Sequence, residues 1–112
     1  MTMNKNFALI LLCGMPALAA PETWTSVPLV DANCSAKVKS SPDAHTRNCA
    51  LQCAKSGYGI LSTDGDFLRF DPSGSDQALA SLKNSNATDH LRVTVTGERE
   101  GDTIKVKTLK LQ

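Results

Sequence analysis

Cys34, His45, Cys49 and Cys53 are the residues of this chain whose types and spacing suit chemistry. Thiolate sulfur and imidazole nitrogen ligate tetrahedral zinc and copper, so the four would complete one metal shell. The same cysteines also suit a disulfide, or a thiol that exchanges electrons with a partner. Their placement depends on a helix. Ser41-Pro42-Asp43 has the signature of a helix start, with a capping hydroxyl, Pro at the first helical position and an acid in the first turn. The helix is predicted to run to about Lys55, with Gly57 as its C-terminal cap. On it His45, Cys49 and Cys53 fall at i, i+4 and i+8, one stripe along the helix.

That stripe restricts the cysteine chemistry. Side chains at i and i+4 have Cβ atoms about 5–6 Å apart, whereas a disulfide wants about 3.8 Å. Cys49 and Cys53 therefore do not bond to each other within a regular helix, and Cys34 is the common partner, leaving Cys34–Cys49 or Cys34–Cys53. If the first two strands are antiparallel neighbours, the start of the second lies near the end of the first. Cys34 ends the first strand and Cys53 shortly precedes the second at Tyr58, which favours Cys34–Cys53. Redox catalysis fits less well. Thiol–disulfide enzymes use Cys-x-x-Cys at a helix start, where a thiol pKa is lowered, and Cys49-x-x-x-Cys53 is one residue too long and lies mid-helix. The reading is a Cys34–Cys53 disulfide with no catalytic residue. A metal set of Cys34, His45, Cys49 and Cys53 is the alternative, and a thiol redox partner the second alternative.

Residues 1–19 explain why a disulfide is expected. Lys5 precedes an apolar stretch from Phe7 to Met15, Pro16 breaks it, and Ala17-Leu18-Ala19 is an A-x-A cleavage site. The stretch is about half the 18 or more apolar residues that a membrane span needs. Leu12 is larger than the residue lipoprotein signals carry before their cysteine. A cleaved Sec-type leader is expected, with export to a periplasmic or extracellular compartment that is oxidising. Cys13 leaves with the leader, so three of the chain's 4 cysteines remain and one stays unpaired after a single disulfide.

Residues 20–112 have the length of one domain. The chain has 12 Lys and Arg against 11 Asp and Glu. Losing Lys5 leaves the two balanced, without the basic excess of a nucleic-acid binder. Past the leader the aromatics are Trp24, Tyr58, Phe67 and Phe70, and no later apolar stretch would span a membrane. No phosphate loop, nucleophile elbow or cofactor motif is present. Asp64 and Asp66 sit in a turn, and the Asn86-Ala87-Thr88 sequon matters only in a eukaryotic secretory route.

The elements around the cysteines are mainly strands. Trp24 to Asn33 reads as a first strand with an edge or bulge at Pro28. Tyr58–Ser62 and Phe67–Phe70 form a hairpin about Asp64-Gly65. Ser73-Gly74-Ser75-Asp76 caps a second helix with Ala78, Leu79 and Leu82 on its buried side. Leu91, Val93 and Val95 alternate with polar residues along a fourth strand. In the last strand Ile104 and Val106 point inward, then Leu109 and Leu111. This slip in phase at Lys107-Thr108 predicts a β-bulge of the kind that helps barrels close. Lys105, Lys107 and Lys110 read as guards of an edge strand. Five strands with a helix between the third and fourth match a small oligonucleotide/oligosaccharide-binding (OB)-like five-stranded barrel with two helices, the first inserted between strands one and two. An open α+β sandwich is the alternative.

With these elements in place, the motifs Val30-Asp31-Ala32-Asn33-Cys34, Cys49-x-x-x-Cys53-x-x-x-Gly57-Tyr58, Asp64-Gly65, Val93-Thr94-Val95-Thr96-Gly97 and Gly101-Asp102-Thr103-Ile104-Lys105-Val106 resemble a family of small exported bacterial proteins of uncharacterised function with an OB-fold-like layout. The resemblance implies a cell-envelope location and no catalytic residues. It departs from the family where Lys37 and Val38 stand in place of a histidine after the first cysteine. The expected function is therefore a non-enzymatic binding or structural domain of the envelope. Its partner is an envelope protein or small ligand, with no cofactor, nucleic acid or membrane span.

Overall fold

A computed structural model describes residues 20–112. The leader and cleavage site expected within residues 1–19 lie outside the described residues. Five strands, β1 (Pro21–Asp31), β2 (Tyr58–Leu61), β3 (Phe67–Phe70), β4 (Arg92–Glu100) and β5 (Thr103–Leu111), close into a barrel in the order β1-β2-β3-β5-β4. All pairings are antiparallel except β3 with β5. With α1 (Arg47–Gln52) between β1 and β2 and α2 (Pro72–Lys83) between β3 and β4, this is a mainly β, OB-like barrel with two helices. Closure rules out the open sandwich.

Irregularities of the strands make closure possible. β1 serves two neighbours. Its first part pairs with β4 as far as Pro28↔Arg92, and its last part pairs with β2 from Leu29↔Ile60. Pro28, which lacks an N–H, stands where the strand changes partner. A bulge between Trp24 and Val27 bends the strand just before this switch, with Ser26 at φ 53°. On β5 the register steps from Thr96↔Thr108 to Gly97↔Val106, which makes Lys107 the extra residue, where the phase slip predicts it. β5 pairs with β3 only at Arg69↔Thr103 and Phe70↔Ile104. Beyond Ile104 that side of β5 has no strand partner, and Lys105, Lys107 and Lys110 are exposed along it.

At Gly97 β4 and β5 press close together. A Cβ there would run into the Lys105 carbonyl oxygen. Gly97→Ala is expected to cost about 1–3 kcal/mol, as overpacking against rigid neighbours does, and to lower Tm by roughly 5–20 °C for a domain of this size. A thermal melt checks it, and an unchanged Tm would mean that the bulge at Lys107 absorbs the methyl group.

The barrel is filled. Val27 and Leu29 from β1, Ile60, Leu68 and Phe70 from the hairpin, and Val93, Val95 and Ile104 from β4 and β5 are all within 5 % of complete burial. Ala78 and Leu82 of α2 join them, while Leu79 is only partly buried. Asp71, not Ser73, caps α2. Its carboxylate accepts the Gly74 N–H at 3.0 Å, and Pro72 takes the first position. Ser75 lies inside the helix and accepts the Tyr58 N–H at 3.0 Å.

The segment between β1 and β2 departs most from expectation. In place of one helix from 42 to 55 there is a 3₁₀ turn (Pro42–Ala44), an extended break at His45, then α1 and a second 3₁₀ turn (Ala54–Ser56). Thr46 starts α1 afresh, its hydroxyl accepting the Cys49 N–H at 3.2 Å. The insertion is tied down along its length. The Arg92 guanidinium donates to both Asp43 carboxylate oxygens at 3.0 Å each and to the Ser26 carbonyl at 2.7 Å. These hydrogen bonds hold Asp43 below the usual carboxylate range. The Arg47 Nε donates to the Leu82 carbonyl at 2.7 Å, capping the C-terminal end of α2.

Candidate functional site

Asp31 closes β1 and organises the site. It follows Val27 and Leu29 in the inward phase of the strand, opposite Tyr58, and is fully buried. Burying a carboxylate is costly unless it is paired and hydrogen-bonded. One oxygen is bonded to the His45 Nε2 at 2.7 Å, and the other accepts the Cys34 N–H at 3.0 Å. His45 is itself only 6 % exposed. The extended backbone at His45 breaks the expected helix and lets its ring reach Asp31. The buried pair thus fastens the insertion to the barrel.

Two of the three cysteines among the described residues meet at this acid. One oxygen of Asp31 and the sulfurs of Cys34 and Cys53 all lie within 4.8 Å of one another. Asp31 accepts the Cys34 N–H as the cap of the short turn Ala32–Cys34, which sets the position of Cys34. Cys53 is the C-cap of α1, its N–H bonded back to the Cys49 carbonyl. The Asn33 amide points at the Cys53 sulfur at 3.6 Å. Cys49, one turn earlier, is exposed and outside the cluster. The expected stripe of His45, Cys49 and Cys53 is therefore not a structural unit. His45 and Cys53 reach the site from opposite ends of α1, and Cys49 does not reach it. All three cysteines are unbonded thiols, so the disulfide expected from the sequence is not formed in this structure, although Cys34 and Cys53 are the pair brought together.

The electrostatics follow from this crowding. Burial pushes the Cys34 thiol above its ordinary pKa, and the Asp31 carboxylate and Cys53 push it the same way. Tyr58 is pushed up to about 12, chiefly by burial and then by Asp31 and Cys53. Its hydroxyl donates to the Ala50 carbonyl at 2.7 Å, joining α1 to the end of the barrel. A thiol held in its protonated form is a poor nucleophile, the opposite of what a redox enzyme arranges.

Asp31, at the centre of the site, is not among the site residues expected from the sequence. The signal was present, because an acid in phase with Val27 and Leu29 is out of keeping with an apolar face unless it has buried partners. A second feature is a surface cleft of about 290 Å³ between the insertion and the barrel, lined by Thr25, Ser26, Pro28, Lys39 and Leu61 among others. Ser26 there holds a left-handed φ of 53° without being glycine. Fold and site together define a small OB-like barrel with a buried acid–histidine pair beside two thiols. The chain matches no protein-family model, no curated protein and no solved structure.

Proposed function

We propose that this chain is an exported, non-enzymatic binding domain whose β1–β2 insertion frames its ligand cleft and is locked to the barrel by a Cys34–Cys53 disulfide. The observation that carries the reading is the cleft with the strained Ser26 in its wall. A non-glycine residue in the left-handed region costs of order 1–3 kcal/mol and persists where the surroundings enforce it, often at binding sites. Here the Ser26 carbonyl accepts from Arg92, and the Ser26 hydroxyl is bonded to Gln112 at 3.0 Å. The core leaves no room within the barrel, so binding falls to the surface. The cleft offers hydroxyls, an apolar ledge at Pro28 and Leu61, and the charge of Lys39, a lining suited to a small, largely neutral ligand or an extended partner segment.

Export rests on the leader. Among the described residues no helix is long and apolar enough to cross a membrane. In an oxidising compartment Cys34 and Cys53 lose two electrons and two protons to the compartment's disulfide donors, leaving Cys49 free. Nucleic acid is not the ligand, since the balanced charge and few aromatics provide neither a basic groove nor a stacking platform.

A fragment screen followed by amide NMR shifts tests the reading. Binders are expected to move the amides of Thr25–Val27, Lys39 and Leu61–Thr63 together. A single-stranded oligonucleotide is expected to bind no tighter than about micromolar at physiological salt. Shifts clustered elsewhere, or a salt-steep nanomolar oligonucleotide complex, would overturn it.

A further inference from the structure

We infer that the thiol form of this protein has a zinc site made by Asp31, Cys34 and Cys53, with His45 as the residue that orients the Asp31 carboxylate. The inference goes beyond the cleft and does not depend on it. The three donor atoms lie within 4.8 Å of one another. A tetrahedral zinc with Zn–S of about 2.3 Å and Zn–O of about 2.0–2.2 Å spaces its donors roughly 3.5–3.8 Å apart. Side-chain rotation of about 1 Å at the two half-buried cysteines closes that difference without moving β1.

The site has the features a metal needs. Two sulfurs and one carboxylate oxygen suit zinc's borderline softness. Asp31 is fixed before any metal arrives, since its oxygens are bonded to the His45 ring and the Cys34 N–H. Each oxygen keeps a second lone pair for a metal, and a histidine bonded to a ligating carboxylate is the outer-sphere partner that tunes metal sites. Among the described residues, His45 is the only basic side chain within salt-bridge distance of Asp31, so no Lys or Arg already occupies the place of a cation. Cys34 and Cys53 are partly exposed, which gives the metal an entry path and lets water take the fourth position. Binding balances as one Zn²⁺ taken up and two thiol protons released. Oxidation to the Cys34–Cys53 disulfide removes both sulfur ligands, so the metal-bound and disulfide forms exclude each other.

The test uses the chain from Ala20 to Gln112, reduced under anaerobic conditions, with Zn²⁺ titrated against a chromophoric chelator. One equivalent is expected to bind with release of about two protons. Co²⁺ in its place is expected to give thiolate-to-metal charge-transfer bands. Bound zinc is expected to shield Cys34 and Cys53 from alkylation while Cys49 reacts at its metal-free rate. Cys53→Ser is expected to take binding out of the measurable range, Cys49→Ser to leave it unchanged, and His45→Gln to weaken it about 10- to 100-fold, as loss of an outer-sphere partner does. The footprint on the unaltered chain does not depend on whether any variant folds. Absence of zinc uptake, shielding of Cys49 in place of Cys34 and Cys53, or equal loss on Cys49→Ser would each overturn the site. None of these results bears on the cleft.

Discussion

Asp31→Ala is expected to lower the unfolding free energy of this domain by about 3–5 kcal/mol. Leaving a buried polar group without its partner costs about 1–3 kcal/mol, and this substitution strands two such groups. Asp31 is fully buried and His45 is 6 % exposed, so bulk water does not replace the contact between them. The substitution orphans the His45 Nε2, bonded at 2.7 Å, and the Cys34 N–H, bonded at 3.0 Å. It also leaves a hole facing Tyr58. Domains of this size have about 5–15 kcal/mol of stability in total, so a large part of the reserve goes with one side chain. Asp31→Asn keeps an acceptor for the Cys34 N–H and is expected to cost distinctly less. Urea denaturation of the three proteins decides the matter. A loss under about 1 kcal/mol for Asp31→Ala would show that the pair is not what fastens the insertion.

The same residue shows how far the sequence can be read. The barrel was legible because its signals are local and periodic. The alternation of Leu91, Val93 and Val95, the Asp64-Gly65 turn and the slip at Lys107-Thr108 each state a strand, a hairpin or a bulge within a few residues. The insertion was not legible, because a tertiary contact decides its path. Ser41-Pro42-Asp43 is a sound local helix start, yet the chain leaves the helix at His45 to bring the ring to Asp31, fourteen positions back in sequence. Thr46 then supplies a second start, and its hydroxyl was the local clue that the helix begins there. Helix α2 presents a smaller version of the same problem. Asp71-Pro72 and Ser73 both qualify as starts, and the earlier one prevails because its carboxylate also accepts the Val106 N–H at 3.1 Å. The meeting of Cys34 with Cys53 was legible from the antiparallel neighbours β1 and β2. The acid between them was not, because its burial depends on the His45 ring and the Cys34 N–H, which no local pattern announces.

Oxidation is expected to stabilise the domain by roughly 3 kcal/mol through the Cys34–Cys53 bridge, the chain-entropy value for a loop of about twenty residues. Reduction should accordingly lower Tm by on the order of 10–20 °C for a domain of this size. The pairing follows from the site. Asp31 fixes the Cys34 backbone at one end of the insertion, α1 ends at Cys53 at the other, and their sulfurs already lie within 4.8 Å. A disulfide asks only that the two side chains turn toward each other. Cys49 is exposed on α1, held in the turn that Thr46 caps, and lies outside that cluster. Cys53→Ser should therefore reproduce most of the loss on reduction, and Cys49→Ser should leave the melt of the oxidised protein nearly unchanged. Because Cys34 is held above its ordinary pKa by burial, Asp31 and Cys53, its thiolate is scarce near neutral pH. Bridge formation is then expected to be slow there and to quicken as the pH rises toward that raised value. Non-reducing peptide mapping of the exported protein reads the connectivity directly. A Cys34–Cys49 peptide would overturn the pairing. Three alkylatable thiols after export would overturn the bridge and leave the pair available to metal alone.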